Sequence, residues 1–105
     1  MNTTTAIQNY ASGDWRVRPG SEDDFIARWT EFLDWTRESA PGLLSARLIR
    51  DADEPGHFVS FAEWQSLASL NAWRGLADFA TKLGACRAIC EDFRGTNYTL
   101  AVQIP

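Results

Sequence analysis

The most constraining feature of this chain is a helical-period stripe held between two Pro-Gly breaks. Phe25, Trp29, Phe32 and Thr36 recur at three- and four-residue spacing, and Ile26 and Leu33 widen the stripe. Pro19-Gly20 stands before it and Pro41-Gly42 after it, so the helix has nowhere to extend. Ser21, followed three positions on by Asp24, predicts a capping box, and the helix is expected from Ser21 to about Ser39. Such a helix hides its aromatic face only against another layer.

The flanking segments supply that layer. Tyr10 to Arg18 alternates, with Trp15 and Val17 on one face and Arg16 and Arg18 on the other, which predicts a first strand. Leu43 to Asp51 and His57 to Trp64 read as strands joined by the polar turn Asp51-Ala-Asp-Glu-Pro-Gly56, hence as an antiparallel hairpin. A second helix begins at Ser66, with Leu67, Leu70, Trp73 and Leu76 or Ala77 on its apolar face. Phe79 to about Asp92 also reads as helix, with a kink near Gly84 and a stop at Gly95. The last strand is expected over Asn97 to Ile104, where Tyr98, Leu100, Val102 and Ile104 alternate with smaller polar residues.

The order is β-α-β-β-α-β, an α+β ferredoxin-like pattern with one four-stranded antiparallel sheet and helices on one face. Residues 1–9 are small and polar and are expected to form a mobile tail, leaving 10–105 as a single domain. A chain of 105 residues is long enough to bury roughly two-thirds of its unfolded surface. The uncovered sheet face, with an uncharged stretch from Thr96 to Pro105, predicts a homodimer formed by packing sheet on sheet.

Several functions are disfavoured by what is missing. The net charge of −4 and the scattering of the arginines argue against nucleic acid. No segment has the apolar length of a membrane span, and the first residues lack a secretory signal, so a cytoplasmic location is expected by default. No phosphate-binding glycine loop is present, and the single histidine leaves no metal site built from several imidazoles within one subunit. The residues call for no cofactor and no metal. Cys86 and Cys90, read as lying on one helix, would have Cβ atoms about 5–6 Å apart. A disulfide needs roughly 3.5–4.5 Å, so free buried thiols are expected.

The chain is rich in large aromatics, with five Trp and six Phe. Trp64, at the end of a strand, and Trp73, on the following helix, stand close to Phe79, and with Trp29 and Phe32 they are candidate walls of a flat apolar pocket. Core packing explains the same residues equally well. His57, with an ordinary pKa of about 6.5, is a candidate general base or hydrogen-bond donor. Arg47, on the facing strand of the hairpin, is a candidate holder of a phenolate or enolate oxygen. As an alternative, each is an ordinary surface side chain.

One resemblance covers roughly Tyr10 to Ile104. It is carried by Trp15-Arg-Val-Arg-Pro-Gly-Ser-Glu-Asp-Asp-Phe25, by Trp29, by Pro41-Gly42, and by Phe58-Val-Ser-Phe-Ala-Glu-Trp64-Gln-Ser with Trp73 and Phe79. In these the chain resembles the antibiotic biosynthesis monooxygenase-like family of the dimeric α/β barrel superfamily. The resemblance implies paired ferredoxin-like sheets, a cavity between sheet and helices, and, in some members, oxygenation of polycyclic aromatics without flavin, haem or metal. It implies a cofactor-independent monooxygenase acting on a small hydrophobic aromatic or quinol-type substrate, with a non-catalytic ligand-binding or structural dimer as the alternative. In the haem-degrading branch a ligating histidine would fall near Leu83 and a first-strand asparagine near Gly13, and this sequence has neither.

Overall fold

The computed structural model describes residues 8–105, so most of the tail expected over 1–9 lies outside the described residues. Seven elements follow in order: β1 (Asn9–Val17), α1 (Glu22–Ser39), β2 (Leu43–Arg50), β3 (His57–Trp64), α2 (Leu67–Arg74), α3 (Phe79–Arg87) and β4 (Cys90–Thr99). The strands form one antiparallel sheet in the order β2-β3-β1-β4, which is the ferredoxin-like arrangement. β1 and β3 are central, and their residues alternate between the face under the helices and the open face. Asn9, Ala11, Gly13, Trp15 and Val17 of β1 and Phe58, Ser60, Ala62 and Trp64 of β3 are the buried set.

α1 forms where the aromatic stripe predicts it, with Phe25, Phe32 and Thr36 buried. Its start differs from expectation. The Ser21 side chain makes no capping bond, and Glu22 instead accepts a hydrogen bond from the Gly20 backbone N–H at 2.9 Å. Ile26, expected on the buried stripe, is 37% exposed. At the C-terminal end the Ala40 N–H closes on the Thr36 carbonyl, and Gly42 takes φ +104°, a left-handed turn that suits glycine. Ser66 caps α2 as its sequence suggests, accepting from the Ser69 N–H at 3.0 Å. Leu67 is exposed rather than on the apolar face, because burial along α2 falls on Leu70 and Trp73.

The C-terminal third departs most from the sequence reading. α3 continues across Gly84 and stops at Arg87, and the chain is already extended at Cys90. Gly95, read as a helix stop, lies in the middle of β4 directly opposite Gly13. Leu100 to Ile104, expected as strand, lies outside any strand, and Val102 and Ile104 are 75% and 85% exposed. The cause is non-local: pairing with the full length of β1 satisfies the backbone of Cys90 to Asp92 better than one more helical turn would. A register shift between Arg16 and Val17 absorbs the mismatch at the start of β4.

Cys86 is buried and Cys90 half-buried, and both are free. The Cys90 thiol donates to the Cys86 carbonyl at 3.4 Å. Desolvation pushes the Cys86 thiol up to about 12, so it packs as a small apolar group. Among the described residues no helix is long and apolar enough to cross a membrane.

Candidate active site

Between helices and sheet the aromatic side chains gather in two groups. At one end Trp15 meets Phe25 and Phe93 with ring centroids 5.1 and 4.2 Å apart, and Phe25 meets Phe58 at 5.0 Å. At the other end Trp73 packs on Trp64 at 4.9 Å, edge-on to Phe79 at 4.8 Å, and on Phe32 at 5.7 Å. Contacts of this kind are worth about 0.5–1.5 kcal/mol each beyond their buried area, so both groups are stiff. Between them the strands offer little side chain: Ala11 and Gly13 on β1, Ala62 on β3 and Gly95 on β4. A recess of about 180 Å³ remains there. Trp15, Trp29, Phe32, Leu33, Trp73, Phe79, Leu83 and Phe93 wall it.

Thr36 is fully buried and sets the plane of Trp73. Its Oγ1 donates to the Phe32 carbonyl at 2.8 Å and accepts from Trp73 Nε1 at 2.9 Å. The indole is therefore held by a hydrogen bond as well as by packing. Ser60 is the polar counterpart on the sheet, 8% exposed, and its Oγ accepts from Trp15 Nε1 at 3.0 Å. That bond uses a lone pair and leaves the hydroxyl proton of Ser60 without an acceptor among the described residues. A recess with apolar walls and one oriented hydroxyl can hold a flat ring system and anchor one of its oxygens.

Four of the side chains singled out in the sequence line this recess together: Trp29, Phe32, Trp73 and Phe79. Trp64 stands behind Trp73, 1% exposed and not on the wall, and its Nε1 has no partner among the described residues. His57 and Arg47 are elsewhere. His57 lies on the open face of the sheet, with Nδ1 2.9 Å from Asp51 and Nε2 3.0 Å from Asp14. Arg47 pairs in register with Phe61 and borders a separate groove along β2 with Ile26, Trp29 and Leu48. The sequence reading passed over Ser60, Trp15, Gly13 and Gly95. Ser60 carried a legible signal, being the one hydroxyl on the otherwise apolar inward face of β3. The positions Leu83 and Gly13, which replace the haem-degrading branch's histidine and asparagine, both line this same recess and bring no polar side chain to it.

Two carboxylates grip the imidazole of His57. The hydrogen bond to Asp51 raises its pKa above the usual 6.5, with partial desolvation and Arg16 opposing and Asp14 adding to the rise. Asp51 is lowered from 3.8 to about 2, first by His57 and then by the backbone N–H groups of Asp53 and Glu54. Stability from the raised His57 is complete below its ordinary pKa and is lost as pH climbs through the folded value. Stability from Asp51 is present above pH 3.8 and is lost as pH falls toward about 2. Thermal stability is therefore expected to be flat from about pH 4 to 6.5 and to fall on either side. Melting temperatures of wild type and His57→Gln from about pH 2 to 9 check it, and identical alkaline limbs would refute the clamp. Donor atoms of Asp51, Glu54 and His57 lie within 4.8 Å of one another, a grouping the sequence spacing did not reveal. Internal partners engage them, Glu54 being held by Arg16 at 2.6 Å.

A ferredoxin-like sheet with an aromatic recess beneath its helices defines a small α+β protein. The sequence pattern of the antibiotic biosynthesis monooxygenase family matches residues 10–81, and the chain belongs to that family. Among solved structures it is similar to SnoaB of Streptomyces nogalater, a cofactor-independent oxygenase. That similarity has a TM-score of 0.85 and 18% identity, over 95% of this chain and 99% of that one. An antibiotic biosynthesis monooxygenase matches with TM-score 0.71 and 24% identity, over 92% and 99% of the two chains. A protein from Methanosarcina mazei Go1 matches with TM-score 0.77 and 13% identity, over 88% and 91%. These likenesses carry the fold. No curated protein matches the chain.

Proposed function

We propose that this protein is a cofactor-independent monooxygenase that takes a small, planar aromatic or quinol-type substrate into the recess between helices and sheet. The observation that supports it most is the recess itself: about 180 Å³ walled by aromatic rings, with the Ser60 hydroxyl on its sheet side. An electron-rich phenol or anthrone, once deprotonated, supplies dioxygen with its electrons. One oxygen atom enters the ring carbon as a carbonyl, and the other leaves as water with two hydrogens from the substrate. The substrate is the reductant, so the atoms and electrons balance with no further redox partner. The protein has to hold the plate, steady its oxygen and keep bulk water out.

In this reading Trp73, Phe79, Trp29 and Phe32 hold the ring and Ser60 donates to its oxygen, while Trp64 backs Trp73. His57 and Arg47 remain as candidates acting from the far face. Oxygen uptake with a panel of reduced anthrones and naphthoquinols is the test. Turnover that drops about tenfold or more in Ser60→Ala, in line with one lost hydrogen bond in a dry site, supports the reading. Loss of turnover in His57→Ala with the fold intact would move the chemistry to the open face. No uptake across the panel, with binding retained, would favour the second reading, a non-catalytic ligand-binding module. What favours that alternative is the lining of the recess, which includes no histidine and no carboxylate.

The open sheet face is proposed as the contact between two copies. Phe61 and Tyr98 are 38% and 53% exposed there, in one groove with Val59, Asp14 and Arg94. Large apolar groups exposed together on one sheet face mark an association surface. Light scattering is expected to give a dimer, and a monomer at micromolar concentration would remove this part of the proposal.

A further inference from the structure

Among the described residues, Arg74 is the only charged residue lining the recess. It is the last residue of α2 and follows Trp73 directly, so the helix that supplies the ring platform also supplies the cation. Arg74 forms no ion pair among the described residues. Helix-end carbonyls are the usual alternative for such a group. Here the Gly75 N–H already takes those of Asn71 and Ala72, at 3.1 Å each. The other engaged arginines differ. Arg16 and Arg28 pair with Glu54 and Asp24, while Arg50 and Arg87 lie over the rings of Phe58 and Phe93. In a chain with 14 acidic residues, none lines the recess to neutralise Arg74.

Arg74 is exposed at the rim of the recess, and the desolvation cost it meets there lowers its pKa without discharging it. An incoming anion recovers that cost. The planar fork of the guanidinium matches a carboxylate with two parallel hydrogen bonds. Arg74 is exposed, whereas Ser60 is buried, so the two polar groups stand at different depths along the recess.

We propose that Arg74 selects aromatic ligands that carry a carboxylate, with the rings between Trp73, Phe79 and Trp29 and the carboxylate turned toward the rim. This rests on the recess being an aromatic-binding site. Two probes of like shape separate the claims: naphthoate, and the neutral naphthylmethanol substituted at the same ring position. Their affinities are read by titration of the tryptophan fluorescence of the full chain.

Wild type is expected to bind naphthoate about tenfold or more tightly than naphthylmethanol, as one charge-assisted contact would give. Arg74→Gln is expected to erase that preference while leaving naphthylmethanol affinity unchanged, and Arg74→Lys to keep part of it. The naphthoate preference should also shrink as salt rises in wild type. Equal binding of both probes in wild type, or an undiminished preference in Arg74→Gln, overturns the anion selectivity and leaves the aromatic site standing. Failure of both probes to bind overturns the aromatic site and the selectivity together.

Discussion

Replacing Trp73 with alanine is expected to lower stability by about 3–5 kcal/mol, the usual cost of truncating a buried tryptophan. Trp73 is 6% exposed and is the hub of its aromatic group, touching Trp64, Phe79 and Phe32. Its loss leaves Thr36 without the donor it accepts from and exposes the face of Trp64 to a void. Because small domains hold only about 5–15 kcal/mol in total, this variant stands near the limit of folding. Trp73→Phe is therefore the informative partner. It keeps a ring in place and removes the indole N–H, and is expected to cost about 1–3 kcal/mol. Urea denaturation of the two variants measures both. A cost below 1 kcal/mol for Trp73→Ala would mean that the indole is not held as described.

The second large effect is expected at Gly13. A methyl group there would stand 2.5 Å from Trp15 Nε1 and 2.9 Å from Ser60 Oγ, well inside contact distance. Trp15 cannot swing aside, since it is 2% exposed and wedged between Phe25 and Phe93. Gly13→Ala must therefore shift β1 or break the Trp15–Ser60 hydrogen bond. Overpacking of this kind costs about 1–3 kcal/mol. It would also misplace the hydroxyl, so affinity for an aromatic probe is expected to fall about tenfold or more. Its ladder partner is the control. A methyl group at Gly95 would meet Phe93 at 3.4 Å, an ordinary contact, and Gly95→Ala is expected to fold almost as stably as wild type. Equal damage from the two substitutions would show that the recess floor depends on strand pairing alone and not on the space above Gly13.

α1 and the β2–β3 hairpin were legible because each is specified by a few consecutive turns or by a tight polar turn. Phe25, Phe32 and Thr36 repeat at the helical period, and the Asp51 side chain closes the hairpin turn by accepting from the Asp53 and Glu54 N–H groups. β4 was not legible. Cys90 to Asp92 has no local preference strong enough to refuse a helix, and Gly95 gives the same signal in a stop as in a crowded sheet. The candidate site divides along the same line. Ring-bearing residues announce themselves by size, and four of those singled out meet at the recess. His57 could not be placed by type alone, since parity along β3 decides its face, and it falls beside Asp14 on the side away from the helices.

Residue order by itself determined the succession of strands and helices, the aromatic face of α1 and the membership of the chain in its family, because periodicity and turn chemistry act over a few neighbouring residues. Tertiary structure alone decided that Gly13 and Gly95 would face each other, that Ser60 would receive the indole N–H of Trp15, and that Arg74 would end beside a recess with no acid to meet it. Those relations join residues dozens of positions apart. Empty space in a core is a property of how separate elements fail to fill one another, and no single segment encodes it.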